Sequence, residues 1–290
     1  MKYTYYMGCQ VTTHLPNYDL STRKVAEKLG ITLIDLIEAG CCGCVIRALN
    51  PDTWLAMSAR VITMAEKTKL DLVTLCSGCY TTLTEAQTIL NEKPQLKEKI
   101  NNILSHEGMT YDGGLKVKHI LPVLYFDYGY EKIKSAITRR LDGLRVAVHY
   151  GCHLHRTPAY EKYDDPEAPQ ILDKLVEATG AESIYWPLKL WCCGGMTLDE
   201  NLSFKLGGIK IRDAKEAGAH CIVTACPFCQ IQFDFHQPVI YRRIGEKYDL
   251  PVLAFSQLLG LAMGIREDQL GLQLNCIPVD SVIHALKSKS

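Results

Sequence analysis

The sequence predicts an α/β protein built from two pseudo-symmetric, Rossmann-like α/β units, each with cysteines gathered at the carboxyl ends of its strands. Three observations carry that reading. Short β-rich runs alternate with stretches of helical periodicity. A cysteine pattern occurs twice: Cys9, Cys41-Cys42 and Cys76-x-x-Cys79, then Cys152, Cys192-Cys193 and Cys226-x-x-Cys229. The gaps before the adjacent pair are 31 and 39 residues and those after it 33 and 32, the regularity expected of an internal repeat.

The elements follow in order. KYTYYM reads as a strand ending just before Cys9, and helical spacing occupies 54–69. LDLVTL reads as a strand leading into Cys76, followed by a helix over 80–91. A polar insertion covers roughly 92–116, with a turn at Gly-Met-Thr-Tyr-Asp-Gly-Gly. The join between units is expected near 126–143, giving units 1–140 and 141–290. In the second, LRVAVHY and CIVTA read as strands before Cys152 and Cys226, with helices over 170–179, 198–217 and 229–247. Local matches support the doubling: YYMGC with HYGC, DLVTLCSGCY with CIVTACPFCQ, and LPVLYF (121–126) with LPVLAF (250–255). Ligands of open parallel sheets bind at the carboxyl ends of strands, where helix N-termini also favour thiolates.

The chain has 290 residues, 47% hydrophobic and 22% charged, enough for a large buried core. Lys+Arg and Asp+Glu are both 32, which argues against bulk nucleic-acid affinity. No apolar run reaches the length of a membrane span, and MKYTYYMGC lacks the layout of a signal peptide. A cytoplasmic protein is expected. There, clustered thiols among the 13 cysteines point to metal or redox chemistry rather than to a disulfide framework.

The ten repeated cysteines have four readings: buried structural thiols, disulfides, zinc ligands or iron–sulfur ligands. Random burial would not reproduce the spacing. Zinc takes four ligands and would leave one cysteine over in each half. A cubane also takes four thiolates and usually shows a CxxCxxC run, which is absent. Five ligands, two of them adjacent, suggest an iron–sulfur cluster of unusual nuclearity or geometry.

The Cys41-Cys42-Gly43 and Cys192-Cys193-Gly194 triplets, with their doubled flanking cysteines, resemble the CCG-domain family. Within it, a chain of two copies and little else is similar to the B subunits of heterodisulfide reductase from methanogenic archaea. The resemblance covers roughly residues 3–260. It implies two non-cubane 4Fe–4S clusters, one held by Cys9, Cys41, Cys42, Cys76 and Cys79, the other by Cys152, Cys192, Cys193, Cys226 and Cys229. It implies two-electron reduction of the coenzyme M–coenzyme B heterodisulfide. It also implies three kinds of partner, in a flavin-based electron-bifurcating complex of methanogenesis. These are the flavin-containing and ferredoxin-like subunits of heterodisulfide reductase, and an associated hydrogenase or formate dehydrogenase. Zinc in one half remains the alternative cofactor. The alternative functions are electron transfer within a glycolate, lactate or succinate system, or a structural docking module. Flavin and nucleotide binding have no motif in this chain: Gly207-Gly208 stands in neither a P-loop nor a dinucleotide fingerprint.

Candidates for holding substrate anions are His153, His155, Arg156 and Lys189, beside the second ligand set, with solvated loop residues as the competing reading. Lys205, Lys210 and Arg212 read equally as a solvated helix face, and His14 as a proton donor or a turn residue. Cys44, Cys221 and Cys276 fall outside the repeat and are expected to pack in the core. Gly43, Gly194 and Gly195 are expected to let the chain wrap tightly around a metal site.

Overall fold

Two four-stranded parallel sheets form the framework of the computed structural model, which describes residues 1–155 and 164–287. The first contains β1 (Lys2–Tyr6), β2 (Thr32–Asp35), β3 (Leu72–Thr74) and β4 (Val117–His119), in the order β2-β1-β3-β4. The second contains β5 (Arg145–His149), β6 (Glu182–Ser183), β7 (Cys221–Thr224) and β8 (Val252–Ala254), in the order β6-β5-β7-β8. Every pairing is parallel. The central strands β3 and β7 are buried along their whole length, which explains their continuous apolar runs. The edge strands β2 and β6 are short and largely exposed, which is why their sequences carry little strand signal.

In each sheet the chain first runs to one edge and then crosses to the other side. The switch points lie between β1 and β3 and between β5 and β7. A crevice opens there at the carboxyl ends of the strands.

The expected helices are found at Pro51–Glu66, Ser77–Glu92, Ile171–Ala178 and Glu200–Glu216. Asn50 and Asp199 cap two of them, each accepting a backbone N–H at 3.0 Å from Thr53 and Leu202 respectively. The helix expected over 229–247 is broken into Pro227–Gln230, a π-helical turn at Ile231–Phe235, and Gln237–Ile244. The polar insertion contains the amphipathic helix Pro94–Leu104, which buries Ile100 and Leu104. Its Gly113–Gly114 turn is tied to the Glu66 carboxylate.

One repeat match does not survive. LPVLAF supplies β8, whereas LPVLYF lies in helical turns after β4. The topological counterpart of β8 is Val117–His119, because both are fourth strands paired to the strand that carries the CxxC motif. Similar apolar composition suggests a register that the topology does not follow.

The two units exchange helices. The segments Ile120–Pro122 and Tyr130–Ser135, which follow β4, pack on Ile171–Ala178 of the second unit. Phe255–Ala262, which follows β8, packs on Pro16–Lys28 of the first. Hydrogen bonds fix this seam: Ser21 Oγ to Ser256 Oγ at 2.7 Å, and Asn17 Nδ2 to Asn275 Oδ1 at 3.0 Å. Reciprocal exchange holds the two switch-point crevices against each other. No helix among the described residues is long and apolar enough to cross a membrane.

Candidate metal centres

Each crevice collects its five cysteines from three loops. Cys9 and Cys152 open short helices after β1 and β5. Cys76 and Cys226 are the N-cap residues of the helices after β3 and β7, and Cys79 and Cys229 lie in the first turns of those helices. The adjacent pairs arrive on long loops that close against Pro51–Glu66 and Glu200–Glu216. Gly8 and Gly151 precede the first cysteine of each set with φ of 74° and 79°. A Cβ at Gly8 would meet Cys79 Sγ at 2.9 Å, so the close approach of backbone and sulfur requires glycine.

The thiols form one continuous, palindromic series of contacts. In the first half Cys9 touches Cys41, Cys41 touches Cys42, Cys42 touches Cys79, and Cys79 touches Cys76. In the second, Cys152, Cys192, Cys193, Cys229 and Cys226 follow in the same order. Across the seam, Ser77, next to Cys76, donates its hydroxyl to the carbonyl of Ala225, next to Cys226, at 3.2 Å and brings the two sets together. Measured links are 3.5 Å between the Sγ atoms of Cys42 and Cys79 and 3.4 Å between those of Cys193 and Cys229. Backbone N–H groups also aim at sulfur: Gly43 at Cys41 (3.4 Å), Gly194 at Cys192 (3.3 Å) and Gly195 at Cys193 (3.4 Å).

These contacts sort the charges in the metal-free chain. Hydrogen bonds from the Cys42 and Cys9 thiols hold Cys41 as thiolate, with its pKa down at about 2. Those from Cys152 and Cys193 do the same for Cys192, also at about 2. Cys76, Cys79 and Cys229 are pushed well up by neighbouring thiols and burial. A multivalent metal group that takes every sulfur as thiolate would release those protons. The donors fit an iron–sulfur group: five clustered sulfurs per half exceed what tetrahedral zinc uses, and N–H···S bonds are the usual support for cluster thiolates.

The first set lines a cavity of about 80 Å³, together with Cys44 and, from the other unit, Pro227 and Phe228. The second lines one of about 40 Å³ that includes Gly78 of the first unit and again Phe228. Each site is therefore completed by its opposite half, and the Phe228 ring borders both.

The other candidates separate clearly. His153 lines the second cavity, and its carbonyl accepts the Thr81 hydroxyl at 2.5 Å. His155 is buried with Nδ1 3.0 Å from the Pro166 carbonyl and lines neither cysteine cavity. Arg156 lies outside the described residues. The Lys189 ammonium forms an ion pair with Asp173 at 2.6 Å, which removes the free charge that an anion-binding role needs. His14 is exposed beside Thr13, and Arg212 pairs with Glu246. Gly207 and Gly208 admit Ile240 and Ile244 at a close helix crossing. Cys221 is fully buried in β7, as expected. Cys44, expected to be packing, faces the first cavity instead, and Cys276, expected in the core, is exposed.

Two further residues stand beside the second set. His149, at the end of β5, places Nε2 3.2 Å from Cys229 Sγ and Nδ1 3.2 Å from the Lys189 carbonyl. The repeat register aligns it with Tyr6, an asymmetry visible in HYGC against YYMGC. Lys210 is only 1% exposed, not on a solvated face. Its spacing with Gly207, Ile211 and Ala214 already marks the buried stripe of its helix.

Comparisons with known proteins agree with this geometry. A cysteine-rich domain family, CCG, matches residues 3–84 and 146–234, one copy per unit. The chain is 40% identical over 287 residues to the B subunit of a ferredoxin/F420H2-dependent CoB–CoM heterodisulfide reductase from Methanosarcina acetivorans, covering 95% of this chain and 94% of that one. It is 33% identical over 279 residues to the membrane anchor subunit of an 8-methylmenaquinol:fumarate reductase from Wolinella succinogenes, covering 95% and 97%. A hypothetical protein from Helicobacter pylori shares the fold, with a TM-score of 0.77 at 12% identity, covering 96% of this chain and 52% of the other. With both units matched and the ten repeated cysteines gathered at two facing crevices, the chain belongs to the CCG cysteine-rich domain family, in the group that includes the B subunits of heterodisulfide reductase.

Proposed function

We propose that this chain is the disulfide-reducing component of a cytoplasmic heterodisulfide reductase, with a non-cubane 4Fe–4S cluster in each half. The observation that carries the reading is the gathering of the ten repeated thiols at two neighbouring cavities, five to each, with Phe228 lining both. A disulfide has two similar sulfur atoms, and its reduction consumes two electrons and two protons to give two thiols. When bound, the clusters supply the electrons. The chain's own residues hold the two sets at neighbouring cavities, with Phe228 lining both and Pro227 the first. His153 is the described basic candidate at the second cavity, suited to an anionic portion of the substrate.

The substrate of this reading is the coenzyme M–coenzyme B heterodisulfide. Its partners are the flavin-containing and ferredoxin-like subunits of the reductase, and a hydrogenase or formate dehydrogenase that feeds them. Likeness to the Wolinella protein supports a second reading, in which the same centres pass electrons within a fumarate-reducing system.

Anaerobically purified protein is expected to contain several irons and a comparable amount of acid-labile sulfide per chain, with paramagnetic signals from both halves on partial reduction. Stoichiometric zinc without labile sulfide would contradict the proposal.

A further inference from the structure

We infer that Lys210 is a fixed buried cation that makes the C-terminal centre the more readily reduced of the two, so that electrons entering the chain settle first in the half held by Cys152, Cys192, Cys193, Cys226 and Cys229. The inference rests on the iron–sulfur reading above and adds an order to it.

Lys210 stands in the middle of Glu200–Glu216, on its buried stripe and within electrostatic reach of Cys193, Cys229 and Cys192. Its ammonium donates to the carbonyl of Leu188 and, at 3.0 Å, to that of Trp191, both on the loop that delivers Cys192. It lies 4.5 Å from the centre of the Trp186 ring. Among the described residues, no carboxylate comes within ion-pair distance of it. Asp213, on the same helix, accepts the Leu188 N–H at 2.8 Å instead. Carbonyl dipoles and an aromatic face satisfy the ammonium's donors without cancelling its charge. Burial draws its pKa down to about 8, while Cys193, Cys229 and, beyond ion-pair distance, Asp213 act in the opposite direction. The ammonium therefore remains charged near neutral pH.

The first half supplies the comparison. Arg60, on Pro51–Glu66, performs the same bracing: its guanidinium donates to the carbonyls of Glu38 (3.0 Å) and Ala39 (3.1 Å), on the loop that delivers Cys41. Arg60, however, is partly exposed and paired with Glu107 at 2.8 Å. Arg47, the other cation near that set, pairs with Glu85. Both loops are thus held by a basic side chain, but among the described residues the one in the second half is buried and makes no ion pair, whereas Arg60 is partly exposed and paired. Reduction adds negative charge to a centre, and an uncancelled cation in a low-dielectric interior favours the reduced form.

The test is a redox titration of the cluster-loaded full chain followed by paramagnetic resonance, with signals assigned by Cys42→Ser and Cys193→Ser. In the unaltered protein, the first signal to change on reduction should be the one perturbed by Cys193→Ser. Lys210→Gln and Lys210→Met should lower the midpoint of that centre and leave the other unmoved, and Lys210→Arg should restore it toward the original value. A role in bracing alone predicts weaker loop stability with unchanged midpoints, which would overturn the inference. If the neutral variants fail to load, the order in the unaltered protein decides, and prior reduction of the N-terminal centre overturns it. Absence of iron and sulfide would overturn the functional reading itself, whereas a reversed order with both clusters present would overturn only the role of Lys210.

Discussion

Replacing Cys79 or Cys229 by serine is expected to abolish disulfide reduction, whichever half carries the change. Each residue sits between its adjacent pair and its N-cap cysteine, so its loss breaks the series of sulfurs in the middle. With both halves acting on one disulfide, as proposed, each variant should lose roughly 100-fold or more in turnover, about 3 kcal/mol of barrier. The assay should use an artificial one-electron donor, which bypasses partner subunits, alongside a metal count for each variant. Cys221→Ser is the control. Its sulfur is buried in β7 away from both sets, so it should lose only about 1–2 kcal/mol of stability through a buried hydroxyl and keep both centres. Substantial turnover by a folded variant lacking one centre would instead favour a single catalytic half.

Gly194→Ala should remove the C-terminal centre while sparing the other. Gly194 has φ of 84° and follows Cys193 directly; a Cβ there would stand 2.6 Å from the Ser203 carbonyl oxygen and 3.0 Å from Leu206 Cβ. Left-handed strain costs about 1–3 kcal/mol, and a forced shift of the helix backbone adds a similar amount. Gly245→Ala is the matched comparison, with φ of 77° and nothing within 4 Å of the added Cβ. It should show the strain alone. Melting temperature and iron content check this pair of variants. Equal behaviour of the two would show that the tight wrap around the adjacent cysteines is not required.

The sequence is most readable where a physical constraint acts on neighbouring residues. Parallel strands buried on both faces leave apolar runs, so β1, β3, β5 and β7 are evident, and the doubled cysteine spacing locates both gatherings of thiols. The edge strands β2 and β6 are not evident, because exposed edges place no demand on composition. LPVLYF and LPVLAF mislead because apolar content alone does not distinguish a helical turn from a short buried strand. Lys189 and Lys210 show the limit for charges. Both are lysines near the second set, but partners distant in sequence decide that one is neutralised by Asp173 and the other buried without a carboxylate. The approach of the two thiol sets, seen in the bond from Ser77 to the Ala225 carbonyl, arises from helix exchange between units and has no local signature.

In the proposed function the two thiol sets form one disulfide-reducing site. The most direct measurement supplies the cluster-loaded chain, without its partners, with a viologen-type one-electron donor and the coenzyme M–coenzyme B heterodisulfide, and counts both products. Both thiols are expected in equal amounts, with two electrons consumed per disulfide. Centres that accept electrons from the donor and yield them to a quinone while no thiol forms would contradict it and assign the chain to electron transfer.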